Sequence, residues 1–206
     1  MPDEKPLYQR PELPDFWDHR FRNGTTPWET GGAPAGLREF AARYELSAGT
    51  PPPRTLIPGC GSAHDAALLD ARGWRVTALD FSPAAVEAAR QTLSGAWRGE
   101  LRCADFFTFD AGGSYDLVYE RAFLCALPRT LRTAYADRVA ALLGAGGLLA
   151  GYFFISEEPK GPPFGIATEE LERLLTPCFT RTEDRPVNDS LPVFSGRERW
   201  QVWVRR

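Results

Sequence analysis

Apolar positions along the chain recur first every second residue and then every three to four, and this alternation predicts a parallel sheet with helices on both faces. Strands are predicted at "RTLIPGCG", "WRVTALD", "ELRCAD", "YDLVYE" and "LLAGYFFI", with helices between them at "HDAALLDARG", "SPAAVEAARQTL" and "PRTLRTAYADRVAALLGAGG". Ser82 reads as an N-cap, with Pro83 at the first helical position, where a missing N–H costs nothing. The third of these helices is expected to end in its glycines. After the fifth strand, "TEELERLLTP" reads as a helix capped by Thr168, with Glu169 and Glu170 in its first turn. The final strands, "CFTRTEDRPV" and "ERWQVWVRR", follow one another with no helix between, which implies an antiparallel hairpin at one sheet edge. The expected fold class is therefore α/β: a doubly wound, mostly parallel, Rossmann-like sheet of seven strands with an antiparallel C-terminal edge strand.

Ahead of the first strand the pattern differs. Residues 1–14 carry four prolines and no periodicity, and read as a flexible arm. A short helix is expected from Asp15 as N-cap to about Arg22, stopped by Asn23-Gly24. A second places Leu37, Phe40, Ala41 and Tyr44 on one face, and "AGTPPPR" breaks it. The domain organisation expected is a single domain over 1–206, with the arm, an N-terminal helical segment over 15–50 and an α/β core over 51–206. Within that segment, "FWDHRFRNGTTPWETGG" concentrates Phe16, Trp17, Phe21 and Trp28 among charges and glycines.

Composition narrows the class. A chain of 206 residues, 43% hydrophobic, can bury a sizeable core without staples. A net charge of −3 argues against a general grip on nucleic acid, which needs a basic face. The four cysteines, Cys60, Cys103, Cys125 and Cys178, form no C-x-x-C pair, and with only His19 and His64 present no metal site can be drawn. They read as reduced thiols of a cytoplasmic protein. No apolar leader or run long enough to span a bilayer is visible. The expected partner is a small-molecule acceptor, not nucleic acid or membrane, and the chain is read as a monomer.

The candidate chemistry begins at "LIPGCGSAHD". Gly59 and Gly61, around Cys60, sit where a strand hands over to a helix, a turn that lets a ligand approach the backbone and a helix N-terminus that favours an anionic group. About 20 residues on, the next strand ends in Asp80, the spacing of a ribose-binding acid. A dinucleotide fingerprint would need a small residue at the position held by His64, whose ring would crowd a pyrophosphate. S-adenosylmethionine, with no phosphate, fits better: its carboxylate can meet the glycine turn and its ribose Asp80. Asp105 can accept from the adenine amino group, and Phe81 or Phe106 can flank the ring. Asp80, Asp105 and Glu120 end three successive strands at the carboxyl edge, where open α/β sheets bind ligands. The competing reading makes the glycines ordinary turn residues, the acids helix caps, and Cys60 a small residue in a tight turn.

These stretches resemble the thiopurine methyltransferase superfamily, including its plant and bacterial halide/thiol (thiocyanate) methyltransferase branch. The likeness runs through "FWDHRFRNGTTPWE", "LIPGCGSAHD", "ALDFSPAAV", "YDLVYERAFLCALP" and "KGPPFGI", in family order. The resemblance implies the class I methyltransferase fold, an N-terminal helical lid, S-adenosylmethionine as donor without a metal, and a small soft acceptor such as a thiol, thiopurine, thiocyanate, sulfide or halide. It implies that Trp17, Phe21 and Trp28 line the donor pocket, that Gly59 touches the methionine part and Asp80 the ribose, that Ala104 to Phe106 form the adenine side, and that Glu120 lies beside the methionine. Arg121 matches an arginine of the thiopurine branch and can hold an anionic acceptor, whereas "ERWQVWVRR" is closer to the halide/thiol branch. Ala63 replaces a glycine common in the family's loop, and Phe153 stands where the halide branch has a tyrosine.

Chemically, a soft anion attacking a sulfonium needs alignment and dehydration but no strong base. His19 is a candidate base, with a histidine bonded to a neighbouring carboxylate as the alternative. Cys125 reads as a buried small hydrophobe or a redox-sensitive thiol. Aromatic faces at Trp17 and Trp28 suit a sulfonium cation, or else anchor the first helix. "EEPKGPPF" reads as a stiff loop over the acceptor side with Phe164 as its wall. A small-molecule N- or O-methyltransferase, or a donor-binding protein without turnover, remains open on the same fold.

Overall fold

A computed structural model describes residues 5–44, 51–93 and 95–206. Residues 1–4 of the expected arm and 45–50 of the N-terminal segment lie outside the described residues.

Five strands, β1 (Arg54–Pro58), β2 (Arg75–Asp80), β3 (Glu100–Cys103), β4 (Tyr115–Arg121) and β5 (Leu143–Phe154), pair in parallel. The last two, β6 (Phe179–Pro186) and β7 (Glu198–Arg205), complete a seven-stranded sheet of order β3-β2-β1-β4-β5-β7-β6. The expected hairpin is present at the edge, and within it the antiparallel strand β7 lies inside, paired to both β5 and β6. The strand order reverses between β1 and β4, and that switch point opens a crevice at the carboxyl ends.

Strand parity divides the core into two faces. On one, Leu56, Val118, Leu149, Phe153 and Trp203 meet Tyr135 and Val139 of helix α5 (Arg132–Leu142) and Leu171 and Leu175 of α6 (Thr168–Leu175). On the other, Ile57, Ala78, Leu117, Tyr152 and Trp200 meet Leu37 and Phe40 of α2 (Ala35–Arg43) and Ala66 and Leu69 of α3 (His64–Ala71). Ala85, Val86 and Ala89 form the buried face of α4 (Pro83–Thr92). The first helix, α1 (Pro14–Arg22), stands outside these layers and packs against α4. Among the described residues, no helix is long and apolar enough to cross a membrane.

Several boundaries differ from expectation. Ser82 caps α4 as predicted, accepting the Ala85 N–H at 3.2 Å. Asp15 does not cap α1: Pro14 already occupies the first turn, and Leu13 holds the cap position without a side-chain bond. Thr168 is likewise the first residue inside α6, with Ala167 at the cap. The glycines after Leu142 do not end a helix but open β5, whose register shifts against β4 between Tyr115 and Leu117. β3 stops at Cys103, two residues before Asp105. Tyr44 lies just past α2 and is exposed. Residues 5–13 lie along α1 through a 3-10 turn at Leu7–Gln9.

Candidate active site

A cavity of about 930 Å³ opens at the carboxyl ends of the sheet. Its size falls in the upper part of the roughly 300–1,000 Å³ range of small-molecule sites. The loop after β1 forms its floor. Gly59 and Gly61 both take left-handed backbone angles, φ +59° and +51°, and both border the cavity. A side chain at Gly59 would run into Phe123 and one at Gly61 into the Glu29 carboxylate, so only glycine fits this turn. Ala63 completes the loop at φ +60°, also left-handed, a conformation that favours glycine.

Asp80 ends β2 against this loop. One carboxylate oxygen accepts the Gly61 N–H at 3.1 Å and the other the Ser82 N–H at 2.9 Å. Each oxygen keeps a further lone pair, and Asp80 borders the cavity. Burial pushes its carboxyl up to about 6, against the pull of those two N–H groups. Phe81, Ala104, Asp105 and Phe106 continue the wall. Phe106 is buried, whereas Asp105 is exposed and accepts the Phe107 N–H at 2.7 Å.

The roof comes from the N-terminal segment. Trp17, Phe21 and Trp28 all border the cavity, Trp28 edge-on to Trp17 at 5.4 Å and to Phe21 at 6.2 Å between ring centroids. Trp17 is held by its indole N–H, which donates to the Pro11 carbonyl at 2.9 Å. Two acids of this segment, not singled out from the sequence, fasten it to the core. Asp18 accepts from Ser82 Oγ at 2.5 Å and Ala84 N at 2.9 Å, and Glu29 accepts the Ser62 N–H at 3.1 Å. The acids sit 64 and 33 residues from Ser82 and Ser62, which is why no local pattern marks them. Val193 and Phe194, from the β6–β7 connection, also line the cavity and were not foreseen.

Arg121 at the end of β4 also borders the cavity, its guanidinium carbon 5.2 Å from the Tyr152 ring centroid. Its Nε is buried and has no hydrogen-bond partner among the described residues. Cys125 lines the same region, and burial pushes its thiol well above the usual range, so it stays protonated.

Four expected site residues lie elsewhere. Cys60 packs against the buried cluster behind the glycine loop, its thiol pushed up chiefly by burial. Glu120 is not part of the cavity lining; it is buried and accepts the N–H groups of Phe123 and Leu124 at 3.2 and 2.9 Å. Phe153 is fully buried in the face under α5, because its parity on β5 is opposite to that of Tyr152. Phe164 does not form the wall of the GPPF loop; Pro162 and Pro163 do. His19 is on the rim and exposed, beside Asn23 at 3.2 Å and tilted against Tyr8 at 5.3 Å between ring centroids, with no hydrogen bond to a carboxylate among the described residues. Among the described residues, no group of three or more His, Cys, Asp or Glu is placed to hold a metal ion.

Comparison with known proteins agrees with this architecture. The structure superposes on magnesium protoporphyrin IX methyltransferase from Synechocystis, solved with bound S-adenosylmethionine, with a TM-score of 0.75 over all of both chains at 15% identity, a likeness of fold. A thiopurine S-methyltransferase from Xanthomonas campestris is 33% identical over 200 residues, covering 87% of this chain and 90% of its own. A probable thiol methyltransferase 2 from Arabidopsis thaliana is 32% identical over 165 residues, 78% of this chain and 71% of its own. The family described as thiopurine S-methyltransferase (TPMT) matches residues 13–206, from the aromatic roof through the glycine loop to the last strand, and the chain belongs to that family.

Proposed function

We propose that the protein transfers the methyl group of S-adenosylmethionine to a small, soft, anionic nucleophile, with a thiolate as the leading acceptor and thiocyanate, sulfide or halide as the others. The observation that carries this reading is Arg121. It is a cation on the wall of a cavity lined largely by aromatic and aliphatic side chains; Asp65 and Glu198 feel its charge, but its buried Nε has no hydrogen-bond partner among the described residues. Such a group favours an anion that has shed its water.

The residues present fit the donor. The glycine turn leaves room for close backbone approach, Asp80 has lone pairs for two ribose hydroxyls, and Phe81 and Phe106 offer faces for a base. When bound, S-adenosylmethionine supplies a methyl group on a sulfonium, already attached to a good leaving group. Trp17 and Trp28 exclude water and present aromatic faces to a cation. Arg121 would hold the acceptor, and an acceptor bound as its thiolate would need no base among these residues to receive a proton. Alignment of this kind supplies on the order of 7–11 kcal/mol in favourable cases. Cys125, protonated, is a poor base, and His19 sits at the rim, which supports a soft acceptor over an oxygen or nitrogen one. In this reading residues 15–50 act as a lid over the 51–206 core. The four free cysteines support a reducing, cytoplasmic setting.

The test is turnover on a panel of aryl thiols, thiopurines, sulfide, thiocyanate and iodide, read as S-adenosylhomocysteine formed and methyl product released. Turnover is expected on sulfur acceptors, with Arg121→Met raising KM for anionic ones most. Firm donor binding with no turnover on any sulfur or halide acceptor would refute the proposal.

A further inference from the structure

The N-terminal segment repeats one dipeptide, a tryptophan followed by an acid: Trp17-Asp18 and Trp28-Glu29. Both tryptophans border the cavity, and both acids are seated on backbone N–H groups of the core. Asp18 meets the first turn of α4 through Ser82 Oγ and Ala84 N, while Glu29 meets Ser62 in the loop that opens α3. These are places where N–H groups lack helical partners and where the helix dipole favours negative charge. Asp80 lies between them and joins the two loops, taking Gly61 N–H with one oxygen and Ser82 N–H with the other. The chain thus forms one network in which the donor-site acid and the two roof acids bond adjacent groups of the same two loops. Arg22 to Thr25, between the two dipeptides, are exposed and contribute no apolar anchor to this closure.

We propose that Asp18 and Glu29 are paired latches: positioning residues that hold the lid shut over the donor, each through the tryptophan it follows. The proposal rests on the donor reading above. A ligand that engages Asp80 orders both loops at once and so strengthens both latches. The lid then closes on a bound donor and loosens on an empty site, with no contact from Asp18 or Glu29 to the donor itself.

Three readouts other than turnover test this: the calorimetric Kd of S-adenosylhomocysteine, its dissociation rate followed by tryptophan fluorescence, and tryptic cleavage after Arg20 and Arg22 with and without it. In the wild type, S-adenosylhomocysteine is expected to suppress cleavage. Glu29→Ala and Asp18→Ala should speed its dissociation roughly 10- to 100-fold, the worth of a hydrogen bond to a charged group, and keep the tryptic sites open. Glu29→Gln and Asp18→Asn retain an acceptor oxygen without the charge and should recover about half of the loss in free energy, which a change in loop structure alone would not do. Wild-type protein that binds S-adenosylhomocysteine without gaining tryptic protection overturns the latch, whatever the variants do. Folded alanine variants with wild-type dissociation rates and protection overturn it as well. Failure of the wild type to bind S-adenosylhomocysteine at all would remove the donor reading and the latch with it.

Discussion

Asp80→Ala tests the proposed contact between this chain and the ribose of the donor. In the wild type the carboxylate spends one lone pair of each oxygen on the Gly61 and Ser82 N–H groups, and the residue borders the cavity. Two ribose hydroxyls donated to it are hydrogen bonds to a charged acceptor, about 1.5–3 kcal/mol each, so their loss is worth about 3–6 kcal/mol. That corresponds to roughly two to four powers of ten in Kd. The effect on folding should be smaller. Burial pushes the Asp80 carboxyl up to about 6, which means the fold disfavours its charge, and removing it relieves that cost while leaving the Gly61 N–H at the cavity wall and the buried Ser82 N–H without this acceptor, about 1–3 kcal/mol for the latter. Calorimetry with S-adenosylhomocysteine and a thermal melt, run on the same samples, separate the two effects. The wild type carries a pH signature as well. Only the ionised carboxylate accepts both hydroxyls, so affinity should fall as pH drops through about 6, and that dependence should vanish in Asp80→Ala. A variant with Kd within threefold of wild type, or one whose affinity keeps the wild-type pH profile, refutes the assignment of Asp80 to the donor.

At the glycine loop, Ala63 bears a left-handed backbone that costs an alanine about 1–2 kcal/mol, while its buried methyl contributes about 0.8 kcal/mol. With glycine's extra unfolded-state freedom these nearly cancel, so Ala63→Gly should melt close to wild type and Ala63→Val, branched at Cβ, far below it; equal melting of the two would show that the loop is not held left-handed. Glu120 carries a pH-dependent stability term. Burial holds its carboxyl protonated up to about 8 in the fold, against an ordinary value of 4.5, so between these values the folded state binds one more proton than the unfolded. Its contribution to the folding constant should therefore fall about tenfold per pH unit as pH rises through that window, and Glu120→Gln should remove that slope in urea titrations; an unchanged slope contradicts the reading.

What the sequence made legible divides along a physical line. The α/β order and the place of the crevice follow from periodicities spread over many residues, so they survive small errors in any one boundary. Gly59, Gly61 and Asp80 were also legible, because a strand-turn-helix unit followed by a strand-end acid brings them together through local geometry alone. The misplacements are of two other kinds. Some are errors of parity. Glu120 and Arg121 are neighbours on β4, and Tyr152 and Phe153 on β5, and Arg121 pairs directly with Tyr152. A one-residue step on a strand turns a side chain to the opposite face. Phe153, expected to line the acceptor side, therefore belongs to the core under α5, while Tyr152 lies beside Arg121. The same step separates Glu120, closing backbone N–H groups out of the cavity, from Arg121, facing into it.

The other kind concerns long-range polar contacts, which leave no period to read. Asp18 and Glu29 sit among residues whose pattern is set by the aromatic roof, and their partners lie on loops of the core far along the chain. Asp15 looked like a cap because an acid near a helix start often is one, yet it is Asp18, a full turn into α1, that bonds a helix N-terminus, and the helix belongs to the core. A trace of this was nonetheless present, in the doubled tryptophan–acid pair. In both pairs the tryptophan borders the cavity and the acid that follows it accepts an N–H of the core. The pair is thus read correctly only as a unit, one residue facing the cavity and the next facing the core. That is why the aromatic residues were visible as a roof from the sequence while the groups that fasten it were not.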